Sequence, residues 1–471
     1  MRQRILGSEF RATGIWFVAD EPEVRYKGTL SAQHAGIDVT LLGDDRELVP
    51  LMGYASRDRQ NILGELSSGE RVTLFNAFTK TSSHAECEII ANGIVFGAHL
   101  PDLNEVIVKK AFLSIDDAGW VDLFSRLEHE FVGDDEVNHN IKISKPTAQD
   151  VGLLEGGDVI VRVGWRYSER VGFRKYEFDT ESVVELDYST PHCSFWKSLR
   201  DINSIRTLLS LLAGSSLPRR SISMELEDAS LVEIYLPTTG AKLRGVDQSH
   251  RPLTSLKAIV NRFPEILMRW EDLSREEPAV PQIMSRELSN HIFGEDKLFA
   301  LIQVLESLSR STRSASVVER RIFFEEVVPA LTEAIPSGMA PEIVAEIEQK
   351  IRTLNLKSLR LTLLGFLEES GIHGLESDID LLKPCNIAML VKTRNYLAHK
   401  DPKGSQGIFT GGDFLAAIDQ AQTIAHALIF WRLGFSIESI VSSFRKFYPF
   451  QSAFNHKFDG SKAVYFAHKE T

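Results

Sequence analysis

An arginine, an amide and an imidazole recur within six residues near the C-terminal end of the chain, in the stretch KTRNYLAHKDP at 392–402. A helix advances about 100° per residue. With Arg394 at zero, Ala398 falls at about 40°, Asn395 at about 100° and His399 at about 140°. Leu390, Leu397, Met389 and Tyr396 fall between about 200° and 320°, so the helix has an apolar back and a front carrying the three polar groups, with Lys392, Lys400 and Lys403 beside them. Those groups are the parts that metal-free cleavage of RNA requires. RNA carries its own nucleophile, the 2′-hydroxyl; the protein need only remove that proton, protonate the leaving 5′-oxygen and stabilise the added phosphoryl charge. Histidine titrates near neutrality and suits both proton transfers. Arginine offers a permanently charged fork to phosphate oxygens, and an amide one residue away can orient the imidazole or bond the phosphate.

The spacing by itself discriminates little, since Arg286 and His291 repeat it and Arg244 and His250 come within one residue of it. Asn395 directly after the arginine, the amphipathic helix and the basic surroundings set the 394–399 instance apart. The competing reading is a solvated face with cations near a helix C-terminus, where the dipole favours them. No phosphate-binding G-x-x-x-x-G-K-[ST] loop is present. His84 with Cys87, and His192 with Cys193, lack the second pair that a metal finger needs, so no metal or other cofactor is expected.

A site of this kind needs a helical frame, and the pattern after Pro252 supplies one. Leu298, Leu301, Ile302, Leu305 and Leu308 mark one helix; Ile322, Phe323, Val327 and Leu331 mark a second that ends near Pro336. Pro341 starts a third, the pattern runs on from Leu356 to Leu367 and Gly371, and Pro384 opens the helix that reaches Lys400. Asp413 is expected to cap a last long helix ending at Gly434. The charged stretch EDLSREEPAVP at 271–281 reads as the linker. Before it, period-two runs bounded by Gly, Asp, Ser and Pro predict strands. Examples are Ile37, Val39 and Leu41, and Val159, Val161 and Val163, with Arg162 and Arg166 on the opposite face. Ile222, Met224 and Leu226 pair with Val232, Ile234 and Leu236 as a hairpin, and Leu199 to Leu212 form one inserted helix closed by Gly214. The expected class is α+β, an antiparallel β-rich N-terminal domain followed by an all-α bundle. The expected boundaries are 1–254 for the β-rich domain, 255–282 for a helical linker, 283–440 for the bundle and 441–471 for an aromatic and basic tail. In that tail Phe444 to Phe466 interleave with Arg445, Lys446, Lys457 and Lys462, either to stack on bases or to fold back onto the bundle.

Composition narrows the class. The 471 residues are 43% apolar, 25% charged and 9% aromatic, which excludes collagenous, coiled-coil and mainly disordered chains. Three unpaired cysteines exclude a disulfide framework and fit a reducing cytoplasm. Neither a signal peptide nor an apolar membrane span is expected. A net charge of −12 argues against a general polyanion binder, yet residues 381–471 carry 11 basic against 6 acidic side chains, which confines any nucleic-acid site to one face.

With these residues in view, the chain resembles a known family. The string RNYLAH in the penultimate helix of a bundle looks like the R-N-x-x-x-H signature of HEPN ribonucleases. GIWFVADEPEVRYKGTLSAQHAGIDVTLLG at 14–43 resembles the opening of the N-terminal domain of ApeA-like anti-phage proteins, and KLFALIQVLESLSRS at 297–311 resembles their first HEPN helix. The resemblance implies a cytoplasmic bacterial endoribonuclease of antiviral defence, acting by abortive infection. It implies a homodimer whose two HEPN helices face each other, so that Arg394, Asn395 and His399 of both copies build one cleft. Cleavage would leave 2′,3′-cyclic phosphate and 5′-hydroxyl ends, on tRNA or other host RNA. Glu306 matches an acidic position of the first HEPN helix and Tyr396 stands as a second supporting residue. The N-terminal domain would sense a phage-derived trigger or restrain the nuclease. Two rivals remain: a non-catalytic module that binds RNA or a protein, and the toxin of a toxin–antitoxin pair.

Overall fold

Alternating apolar and polar residues become alternating faces in the first six strands. These are β1 (Phe10–Val18), β2 (Tyr26–Gln33), β3 (Gly36–Leu42), β4 (Gln60–Leu66), β5 (Arg71–Ser82) and β6 (Glu86–Ala91). The computed structural model describes residues 9–33, 36–43, 60–82, 86–115, 127–131, 139–143, 149–154, 159–171, 176–188, 193–217, 219–237, 253–254, 256–288, 292, 294–311, 316–355, 357–399 and 407–458. Antiparallel pairing runs β5–β4–β1–β2–β3–β6 and returns from β6 to β5, so the six strands close into a barrel. Every second residue is buried: Leu30 and Ala32 on β2, Ile37, Val39 and Leu41 on β3, Cys87, Ile89 and Ala91 on β6. Trp16 is fully buried and lies opposite Gly64 in the β1–β4 register. A Cβ at position 64 would come within 2.4 Å of the indole, so the absent side chain is what admits the ring.

From β5 the same sheet continues outward through β7 (Gly93–Phe96), β16 (Leu231–Tyr235), β15 (Arg219–Leu226), β8 (Ile107–Ile115), β13 (Tyr176–Tyr188), β12 (Val159–Val171) and β11 (Gln149–Leu154). A separate pair joins β9 (Leu127–Phe131) to β10 (His139–Ile143), and β14 (Cys193–Ser194) adds to β8. The expected hairpin is present, with Ile222 opposite Ile234. Val159, Val161 and Val163 are buried, while Arg162 on the other face is held by Glu185 at 3.1 Å and by Asp187, with Lys110 completing the group. Helix α1 (Phe195–Ala213) is capped by the Ser194 hydroxyl and ends at Gly214, whose φ of 76° completes the left-handed C-cap. Helix α2 (Phe263–Glu276) ties back to α1 where the buried Trp270 indole donates to Ser204 Oγ at 2.9 Å.

The chain divides into two units, Met1–Glu271 with Leu288–His291 and Asp272–Glu287 with Ile292–Thr471. The class is α+β as expected, β-rich first and helical afterwards. The stretch 271–281 read as linker is itself the end of α2 and the start of α3 (Ala279–Leu288). The second unit continues with α4 (Gly294–Ser311), a wide turn at Phe323–Val327 leading into α5 (Val328–Glu333), and α6 (Pro341–Thr353), with Pro341 in its first turn. Next come α7 (Leu359–Glu369), α8 (Pro384–His399), α9 (Gly411–Arg432), α10 (Ile437–Lys446) and α11 (Tyr448–Asn455). One expectation is corrected. Thr410, not Asp413, is the N-cap of α9, because the helix starts at Gly411 and leaves Asp413 within its first turn, 3.5 Å from His456. Among the described residues no helix is long and apolar enough to cross a membrane.

Among the described residues the bundle core contains one imidazole. His426 is fully buried in α9, with the Phe450 ring at 5.0 Å and Glu287 at 4.0 Å. Burial first, and then the Lys297 ammonium, push its pKa down to about 3, so the ring is neutral. Burial likewise raises Glu287, whose charge is answered by Lys297 at 3.1 Å.

Two outcomes are expected. Gly64→Ala will lower stability by about 1–3 kcal/mol through overpacking against Trp16, whereas Gly36→Ala, with open space at its Cβ, will not; thermal melts read both. As pH falls from about 6.5 toward about 3, the unfolded chain takes up a proton at His426 that the folded chain refuses, so this residue's contribution to stability is lost on acidification. Glu287, raised in the fold, acts with the opposite sign. His426→Phe will therefore shrink the fall in melting temperature between pH 7 and pH 5.

Candidate active site

Helix α8 is fixed at its entrance by a buried carboxylate. Asp380, 3% exposed, accepts the Phe458 N–H at 2.9 Å and the Asn386 amide at 3.2 Å, and pairs with Lys383 at 2.6 Å. Burial opposes its charge, but the Lys383 ammonium and the Phe458 N–H outweigh that and hold its pKa below the ordinary carboxylate value. Asn386 also donates to the Asp380 carbonyl at 2.6 Å. Beside it the fully buried Gln420 of α9 accepts the Leu381 N–H at 2.6 Å and donates to the carbonyls of Ala453 and His456 at 3.0 and 2.9 Å. The start of α8, the middle of α9 and the end of α11 are thereby held together.

Further along, Thr393 does the same for the approach to α9. Fully buried, it donates to the Met389 carbonyl at 2.8 Å and accepts the Phe409 N–H at 3.0 Å. Phe409 packs against Phe458 with ring centres 4.7 Å apart and planes tilted by 41°. Met389 and Leu390 are buried and Tyr396 and Leu397 half-buried, which is the apolar back expected of this helix.

On the front, Arg394 is held on three sides. Its Nη1 donates to Asn395 Oδ1 at 3.3 Å, its Nη2 lies 3.6 Å from Glu306 of α4, and its guanidinium carbon sits 5.6 Å from the centre of the Phe299 ring. The pairing with Glu306 is shared, because Arg310 approaches the same carboxylate at 2.6 Å. Arg394 is partly buried, and its Nε–H has no acceptor among the described residues. A guanidinium fixed in this way is a preset positive charge whose Nη–H groups suit the oxygens of a phosphate, the Nε being itself closed to solvent. Asn395 and His399 are exposed, and His399 makes no hydrogen bond or ion pair among the described residues. The amide oxygen of Asn395 accepts from the guanidinium, and no hydrogen bond joins Asn395 to His399 among the described residues. Lys392 is exposed on the same helix; Lys400 and Lys403 lie outside the described residues.

The remaining sequence candidates fall to structural roles or outside the described residues. Cys87 and Cys193 are buried, Cys193 Sγ lying 3.2 Å from Ser198 Oγ, whereas His84 and His192 are not described. Among the described residues no three His, Cys, Asp or Glu side chains converge as a metal set. Arg162 is taken by its carboxylate pair, and the Arg166 side chain is not described. Phe444, Phe447 and Phe450 are buried in the bundle, Phe444 and Phe450 stacked at 4.8 Å, so these rings are core and not base platforms. The residues that sequence reasoning missed are Asp380, Thr393 and Gln420, polar side chains whose partners lie up to 78 residues away.

Comparison with known families matches residues 11–270, more than half of the chain, to a family model described as ApeA N-terminal domain 1, and residues 299–439 to one described as Apea-like HEPN. The second match contains Glu306, Arg394, Asn395 and His399. No curated protein and no solved structure matches the chain.

Thr393→Val keeps the shape of the helix back but leaves the buried Phe409 N–H without an acceptor. It will cost about 1–3 kcal/mol, read by thermal or urea melts, and Thr393→Ser will restore most of the loss.

Proposed function

The chain belongs to the ApeA family, an ApeA N-terminal domain ahead of an ApeA-like HEPN domain, and from that premise we propose that it is an anti-phage endoribonuclease that cuts host RNA at a cleft built from two copies of α8. HEPN domains are generally ribonucleases, and they commonly dimerise and bind RNA. The observation that carries the proposal for this chain is the front of α8. A guanidinium held by Glu306, Phe299 and Asn395 stands on the same helix that ends in the exposed His399.

In this reading one His399 removes the proton from the 2′-hydroxyl, whose oxygen attacks the adjacent phosphorus. As the P–O5′ bond breaks, His399 of the partner subunit gives its proton to the departing 5′-oxygen. The products are a 2′,3′-cyclic phosphate and a 5′-hydroxyl. Arg394 faces the phosphoryl oxygens, where charge grows in the transition state, and its preset position means that little reorganisation is needed. Asn395 holds the guanidinium, and Glu306 acts as a positioning residue through Arg394. Lys392, Lys400 and Lys403 would meet neighbouring phosphates. A two-fold axis supplies acid and base from one sequence position. The β-rich domain would sense the phage-derived trigger or restrain the nuclease until it arrives, and tRNA is the favoured substrate in an abortive-infection response.

The test is to incubate the full-length protein with total bacterial RNA in excess chelator and in extract of phage-infected cells, then map fragment ends. Discrete cuts with cyclic-phosphate ends are expected, reduced at least about a hundredfold in His399→Ala, with Arg394→Lys also impaired. Glu306→Gln should weaken cleavage less than Arg394→Ala does. Cuts that persist in His399→Ala would refute the assignment. RNA bound but uncut in infected extract would favour the non-catalytic module, and a co-purifying small neutralising protein the toxin.

A further inference from the structure

The β-rich unit contains a cleft of about 670 Å³, within the usual range of ligand sites, about 300–1,000 Å³. Trp196, Asp20, Asp102, Asn61, Asn76 and Asn104 line it together with four apolar residues, and among the described residues no Lys, Arg or His does. The indole is steadied from two sides, its ring centre 5.6 Å from that of Phe75 and 5.2 Å from that of Phe195, both edge-on. Asn76 stands at a register shift between β4 and β5 with φ of 50°, a left-handed conformation that asparagine tolerates better than most side chains.

The hydrogen-bond inventory identifies the ligand chemistry. Asn61 spends its amide hydrogens on the Leu100 and Pro101 carbonyls at 3.4 and 2.9 Å, and what it has left to offer is its carbonyl oxygen. Asn104 gives both its backbone N–H and its side-chain amide to Asp102 Oδ1 at 2.8 Å, leaving its own Oδ1 and the second Asp102 oxygen as acceptors. Among the described residues the Asp20 carboxylate has no partner. Against these oxygens stand, among the described residues, three side-chain donors: the Asn76 amide, the second amide hydrogen of Asn104 and the Trp196 indole N–H. A site with spare acceptors, two negative charges and one aromatic ring selects a ligand that donates, carries positive charge and has a flat face. It disfavours phosphates and other anions.

We propose that this cleft binds the guanidinium of an arginine presented by a protein partner. Arginine has five N–H donors and no acceptor, and its plane stacks on an indole, whereas the lysine ammonium is a point charge with three donors. The cleft is larger than one side chain fills, leaving room for the segment that carries the arginine. The proposal concerns binding to the β-rich unit and stands apart from the nuclease reading.

Full-length protein is titrated with a fluorescein-labelled Gly-Arg-Gly-Arg-Gly peptide, followed by anisotropy at fixed ionic strength, and with the same peptide carrying citrulline or lysine for arginine. Saturable binding is expected for the arginine peptide, at least tenfold weaker with citrulline and several-fold weaker with lysine. Asp20→Asn with Asp102→Asn should weaken arginine binding at least tenfold, while Glu65→Gln with Glu227→Gln, which removes two exposed charges from the same unit outside the cleft, should change it less than twofold. Trp196→Ala should abolish binding and Trp196→Phe keep most of it, with melting curves confirming that both variants fold. Equal affinity for citrulline, equal loss in the outlying pair, absence of saturable binding, or displacement by adenosine or a neutral sugar would each overturn the proposal. Equal affinity for lysine would overturn the choice of arginine.

Discussion

Everything on the front of α8 depends on the charge buried at its entrance. Asp380 sits where a carboxylate costs most, and it stays ionised because Lys383, Asn386 and the Phe458 N–H surround it. Each partner comes from a different point of the chain: the turn before α8, the first turn of α8 itself, and the segment after α11. Gln420 adds a second set of bonds from the middle of α9. A network of this kind is worth most when complete, since removing one member strands the others in a low-dielectric core. The consequence for the site is rotational. Apolar packing of Met389 and Leu390 alone would tolerate slippage of α8 about its axis, whereas hydrogen bonds to Asp380 at one end and Phe409 at the other fix which arc faces outward.

In the first unit the corresponding constraint is steric. Trp16 and Gly64 occupy facing register positions on β1 and β4, and the large ring on one strand is accommodated only by the missing side chain on the other. Closure of the barrel then follows from pairing β3 with β6 and β6 with β5, which leaves β6 without a free edge in a sheet whose other end is β11.

What the sequence disclosed was local. Ile37, Val39 and Leu41 read as one face of a strand because period two is imposed by the pleat, and all three are buried. The amphipathic reading of 389–399 held because helical geometry places those residues whatever surrounds them. Glu306 came into view only through family resemblance; its proximity to Arg394 spans 88 positions that no periodicity links. Barrel closure, the Trp16–Gly64 fit and the Asp380 network share that character. Thr393 was overlooked for another reason: a polar residue in the apolar arc of a helix reads as a small interruption until its acceptor role toward Phe409 is seen. Asp413 has the right type for a cap, but the helix begins earlier, at Gly411, with Thr410 as its cap.

Arg394 and His399 on the α8 front are unequally prepared, and that inequality bears on how the proposed site would work. Arg394 has already lost much of its freedom to Glu306, Asn395 and Phe299, so a phosphate meeting its guanidinium would cost little further ordering entropy. His399 is the last residue of its helix, exposed and without a partner among the described residues. A lone imidazole in water is a weak general base: nothing aligns it, and solvent competes for its proton. The missing elements are a surface that excludes water and a second proton carrier. In the proposed dimer an identical helix brought up across a two-fold axis would provide both, covering the first imidazole while presenting its own. In that proposal the monomer would be assembled as far as binding the phosphate, and the chemistry would wait on the second copy.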